Sequence, residues 1–163
     1  MTLYVEPNFL LETVLGQEQP AAAEQLLAMA EAGVTDLAFP SFSLSEPLVW
    51  VRRGVRDRKQ LMKQVKDKVA QLARSAPHKG EVDVLRAMPN LFERIEQRET
   101  DRLIMTIERL LATARLIELD SSSFRTARDY RARYSLEIED AIILAVVIAD
   151  LKSQSGGVKS VRQ

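Results

Sequence analysis

The 163-residue chain contains no cysteine and a single histidine, His78. The first absence excludes disulfides, thiolate zinc sites and a cysteine nucleophile, and it suits a reducing compartment such as the cytoplasm. The second excludes any site that needs two imidazoles. His78 itself stands in a Pro-His-Lys-Gly stretch that reads as an exposed turn without chemistry. Long apolar runs are missing as well. The longest is Ala141–Ala149, far short of the roughly 20 residues a membrane span needs. No Lys or Arg precedes Arg52, so the charged start of a secretory signal is not expected. Glycine-rich phosphate loops, serine nucleophile elbows and zinc-ligand spacings are absent too. What is present is an ordinary globular mixture, 46% hydrophobic and 28% charged, at a length that predicts one domain.

The net charge is zero, but it is unevenly laid out. Residues 1–51 carry seven acids and no base, and residues 52–79 carry ten bases and two acids. Such a division can place an anionic pocket beside a cationic track. It can equally do no more than solvate helix faces.

The periodicity predicts alternating elements. Thr2–Val5 reads as a strand, and Pro7 keeps Glu6 extended at its end. Asn8 is the expected N-cap of an apolar helix over 9–15, closed by Gly16. A second helix runs from Pro20 to Glu31, and Val34–Phe39 is a second strand ended by Pro40. A long helix is expected over 43–74. Along it Val51, Val55, Met62, Val65, Val69 and Leu72 make one apolar face. Arg52, Arg56, Lys59, Lys63 and Lys66 make the adjoining basic stripe. After a turn over 75–80, a helical stretch from Glu81 to about Ala114 is broken or kinked at Pro89. Arg115–Leu119 suits a third strand. Ser121–Ser123 cap a helix through Tyr130, and a last helix from Glu137 is apolar nearly all round. The Met residues and Trp50 read as packing. This order argues for an α/β fold, a parallel sheet covered by helices and rich in them. The domain is expected over 1–152, with a polar, frayed tail over 153–163.

Three carboxylates occupy notable places. Glu6 ends the first strand, Glu46 follows the second near a helix start, and Asp140 opens the most apolar helix. Open parallel sheets gather ligands at the carboxyl ends of their strands. Three carboxylates in one crevice need a counterion, and oxygen-only ligands suit Mg²⁺ or Mn²⁺. Plainer roles exist for each. Asp140 and Glu46 can oppose a helix dipole, and Glu6 can pair with an arginine. Glu12 reads as a helix-surface residue, or as one that points back at the same crevice.

Three stretches resemble a known family. Tyr4-Val5-Glu6-Pro7-Asn8-Phe9-Leu10-Leu11-Glu12 resembles the opening strand and helix of a PIN-like domain. Ala38-Phe39-Pro40-Ser41-Phe42-Ser43-Leu44-Ser45-Glu46 is similar to its second block, and Glu139-Asp140-Ala141-Ile142-Ile143-Leu144-Ala145 to its third. The resemblance implies an acidic Mg²⁺/Mn²⁺ pocket with endoribonuclease activity, often in a toxin–antitoxin or RNA-processing setting. It carries the catalytic and metal roles to Glu6, Glu46 and Asp140, with Asn8 as an orienting partner. The chain departs from the family pattern in its first acid, Glu in place of Asp. It departs also in having no acid after Asp150, so the C-terminal sheet edge is expected to be incomplete.

These readings give a metal-dependent ribonuclease whose stripe, Arg52 to Lys66, holds RNA phosphates. The expected partners are RNA, an antitoxin or other protein, and a second copy in a homodimer; no membrane is expected. The alternatives are a non-catalytic PIN-like domain that binds RNA or protein, and a helical dimerisation module.

Overall fold

The computed structural model describes residues 2–74 and 79–157. The element order is β1 (Thr2–Tyr4), α1 (Pro7–Leu15), α2 (Pro20–Glu31), β2 (Asp36–Pro40), a 3-10 turn (Ser41–Leu44), α3 (Ser45–Leu72), α4 (Lys79–Thr113), β3 (Arg115–Ile117), α5 (Ser121–Tyr134) and α6 (Ile138–Gly157). The chain divides into two compact units: 1–47 with 106–163, and 48–105. The structure is helix-rich with a small parallel sheet, an α/β architecture. No described helix is long and apolar enough to cross a membrane.

The first unit is built around the sheet. Its strands lie in the order β1-β2-β3, all parallel. Leu3 pairs with Leu37 and Tyr4 with Ala38 on one side of β2, while Ala38 pairs with Arg115 and Pro40 with Ile117 on the other. Alternation along β2 sends side chains to both faces. Leu37 and Phe39 join Phe9, Leu10, Ala23, Leu27 and Leu110, so α1, α2 and the end of α4 cover one face. Ala38 and Ile117 join Ala127, Ala141, Ile142, Ala145 and Val146, so α5 and α6 cover the other. Ala38, Ala127, Ala141 and Ala145 are all buried, and these small residues let the helices approach the sheet closely. β2, buried on both faces, is apolar throughout Leu37–Pro40, as a central parallel strand should be.

The second unit is a helical hairpin. Arg58 meets Glu99 and Lys59 meets Glu96, so rising numbers on α3 match falling numbers on α4 and the helices are antiparallel. Both helices carry one apolar stripe, and Val51, Val82 and Leu103 are its fully buried members.

Several local expectations change. Asn8 is not the cap of α1. The helix begins at Pro7, a residue suited to the first turn because its missing N–H would have no partner there, and the cap position falls to Glu6. The 43–74 helix opens as a 3-10 turn over Ser41–Leu44. Of the break or kink expected at Pro89, the break is absent: α4 is one helix through it. α5 is capped by Asp120, whose carboxylate accepts the Ser123 N–H at 2.6 Å, and it extends to Tyr134. α6 continues to Gly157, past the point where a frayed tail was expected. Trp50 is 43% exposed and Met105 61% exposed, so neither is a packing residue of the core. The expected turn at His78 lies outside the described residues.

Candidate functional site

Parallel pairing puts the carboxyl ends of all three strands at one end of the sheet. Glu6 follows β1 and keeps an extended backbone, φ −109° and ψ 173°, as Pro7 requires. Glu46 is in the first turn of α3, one short 3-10 turn after β2. Asp140 is in the first turn of α6. The direction of α6 is set at its other end. Asp150 there binds Arg115, the first residue of β3, and shares a cleft with Thr2 and Asp36, the first residues of β1 and β2. Ile142 and Ala145 meanwhile pack with Ala38 and Ile117 on the sheet face. α6 therefore runs antiparallel to the strands, and Asp140 lies about 15 Å along the axis from Asp150, toward the strand carboxyl ends.

The three acids thus belong to one rim, and all three are exposed. Asn8 Nδ2 donates to Glu6 Oε1 at 3.3 Å. None of the three takes part in an ion pair among the described residues. Their donor chemistry, carboxylate oxygen without sulfur or imidazole, fits a hard divalent cation. They are not drawn together into a cage: among the described residues no three His, Cys, Asp or Glu are grouped so as to hold a metal ion. One turn before Glu46, Ser43 is 2% exposed and its hydroxyl has no hydrogen-bond partner.

Arg52, Arg56, Lys59, Lys63 and Lys66 are all exposed on α3 at spacings of three and four, one continuous row on a helix. Arg56 lies 3.9 Å from Asp57 and Lys59 lies 3.6 Å from Glu96. Such exposed contacts are weak and leave these cations available. Residues 48–105 hold fourteen basic and eight acidic residues, an excess of six positive charges; the remaining residues carry the matching negative excess. A groove of about 510 Å³ runs along this side of the hairpin. Arg58 also lines the groove, but it is part-buried and binds Glu99 through both terminal nitrogens.

Three polar networks went unread in the sequence; two of them join residues far apart in the chain, and the third closes a loop of six to seven residues. Asp150 accepts two bonds from Arg115, at 2.6 and 2.7 Å, and one from the Tyr4 hydroxyl at 2.6 Å. The Arg115 guanidinium holds the Asp150 carboxyl below its ordinary value, while burial and the Asp150 charge raise the Tyr4 hydroxyl. Arg109 on α4 ties down Glu31 and Glu24 of α2, at 2.6 and 3.0 Å, and lowers the Glu31 carboxyl. Glu12 accepts the N–H groups of Glu18 and Gln19 at 3.0 and 2.8 Å, fixing the approach to α2. Glu12 therefore serves the α1–α2 connection rather than the rim.

Compared with known proteins, the chain matches no family model, no curated protein and no solved structure.

Proposed function

We propose that the chain is a PIN-like RNA-acting module in which Glu6, Glu46 and Asp140 take a Mg²⁺ or Mn²⁺ ion and the basic row of α3 holds RNA phosphates. One observation carries this reading. Three acids widely separated in sequence reach the same end of one parallel sheet, where open α/β sheets gather their ligands. The oxygen donors suit a cation that keeps several waters and needs only one or two carboxylates directly. When bound, the ion supplies Lewis-acid polarisation of a phosphoryl oxygen. The chain's own residues do the rest. The Asn8 amide steadies Glu6, and exposed lysines and arginines bind the backbone without reading its sequence.

The test is incubation of single-stranded RNA with wild type and with Asp140→Asn, each in Mn²⁺ and in EDTA. Cleavage by wild type in Mn²⁺ alone, lost in the variant, is the expected result. Absence of Mn²⁺-dependent cleavage overturns the catalytic reading. The ungrouped carboxylates favour a second reading, a non-catalytic PIN-like domain, which predicts RNA retention without cleavage.

A further inference from the structure

The groove on the hairpin has three chemically distinct surfaces, and together they describe a ligand. One wall is Lys59, Lys63 and Lys66 of α3. The floor is apolar: Met62, Pro89 and Phe92, all half-buried, with Phe92 its aromatic member. The opposite wall is Glu93, Glu96 and Gln97 of α4, which offers hydrogen-bond acceptors. A second, more apolar section of about 350 Å³ continues the groove along the hairpin and shares Met62, Lys66 and Pro89 with the first.

We infer that this groove is a metal-independent binding site for single-stranded RNA, holding an unpaired base between the Phe92 floor and the Glu93–Gln97 wall while the lysine wall holds the adjoining phosphates. Charge selects the ligand class, since the hairpin carries the chain's whole positive excess. The aromatic floor selects a flat, stackable group, because base–aromatic stacking is tolerant of sequence. The acceptor wall selects against duplex. Every nucleobase carries at least one N–H donor on its Watson–Crick edge, and pairing occupies it. A volume near 510 Å³ lies within the range of small-molecule sites. The site lies wholly within residues 58–97 and includes none of the three rim carboxylates. It rests on the reading that the chain acts on RNA, but not on any cleavage.

The experiment is fluorescence anisotropy of the full chain in EDTA. The probes are a labelled single-stranded RNA oligonucleotide and the same strand annealed to its complement. Wild type should bind the single strand more tightly than the duplex. Its affinity should fall with salt along a log–log line whose slope grows by about 0.7 for each phosphate neutralised. Replacing Lys59, Lys63 and Lys66 together by Gln should flatten that slope by about two. Phe92→Leu keeps an apolar floor without the ring, and it should weaken single-strand binding about tenfold with the slope unchanged. Unfolding curves of each variant confirm that the hairpin is intact. Equal or tighter duplex binding overturns the inference, as does a slope or affinity untouched by these substitutions. Cleavage in Mn²⁺ together with EDTA binding that all of them leave untouched keeps the rim standing and removes the groove. Binding in EDTA without any cleavage does the reverse.

Discussion

The most demanding test of the hairpin is the ion pair inside it. Arg58 and Glu99 have side chains only 20% and 18% exposed, and Arg58 shares the groove with Met62 and Phe92. Both terminal nitrogens of Arg58 donate to the carboxylate, but its Nε–H is buried with no partner. The pair therefore recovers only part of its desolvation cost, and an unsatisfied buried donor alone costs about 1–3 kcal/mol. Removing one partner leaves an uncompensated charge, so Glu99→Leu should destabilise by about 3–5 kcal/mol. For a chain of this size that lowers the melting temperature by at least about 6 °C. Replacing both, as Arg58→Met with Glu99→Leu, removes the orphan donor along with the charges. It should restore wild-type stability or exceed it by about 1–4 kcal/mol. The assay is urea unfolding followed by circular dichroism across the full double-mutant cycle, accepting only variants with an unchanged denaturant slope. The coupling should change little between low and high salt, because screening acts mainly on exposed pairs. Additive single effects, or a coupling that vanishes in salt, would show that water reaches the pair and would refute the reasoning.

Two glycines should respond with opposite signs. Gly16 closes α1 at φ +63° with nothing within 4 Å of an added Cβ, so Gly16→Ala should cost only the backbone strain, about 1–2 kcal/mol by thermal unfolding. Gly54 lies inside α3 with its nearest would-be contact, Arg58 Nη1, at 3.4 Å, so Gly54→Ala should gain about 0.5–1 kcal/mol in the same assay. Asp150 supplies a pH test. Arg115, and then the Tyr4 hydroxyl, hold its carboxyl below the ordinary value of 3.8 against the opposing effect of burial. A depressed carboxyl gives stability that is present above the unfolded value and lost as pH falls through the folded one. Asp150→Asn should thus be the less stable protein at neutral pH, and the gap should close on acidification below pH 4; a gap constant with pH would contradict the network.

The architecture was legible where local chemistry and tertiary packing agree. Val34–Phe39, ended by Pro40, read as a strand and folds as Asp36–Pro40, and Pro20 and Gly33 bracketed α2 within a residue or two. Disagreements arose where two residues competed for one role. Asn8 is the better cap by side chain, but Pro7 needs no N–H partner and takes the first helical position, which moves the cap back to Glu6. Pro89 reads as a break or a kink, and of the two α4 shows no break, since one helix continues through it. Trp50 reads as core or helix packing, and its 43% exposure excludes the core.

The candidate sites differ in what made them readable. The basic row needed only helical spacing, so Arg52 through Lys66 were visible as a stripe before any fold existed. Their exposure follows from the seam lying at Val55, Met62 and Val65, a quarter to a third of a turn away. The carboxylate rim needed topology. Spacing placed Glu6 and Glu46 after strands, but only the antiparallel run of α6, set by the Arg115–Asp150 bond at the far end of the sheet, brings Asp140 to the same side. The groove was not legible at all. Phe92 and Glu96 look like an ordinary apolar and an ordinary solvating residue until the antiparallel register of α3 and α4 sets them against Met62 and Lys59. The same register explains the charge layout. The row Arg52 to Lys66 is exposed throughout, so the excess positive charge of α3 has no interior role. It lines an open surface whose other wall carries acceptors, an arrangement that internal ion pairing satisfies only at Lys59 among the three lysines of that wall.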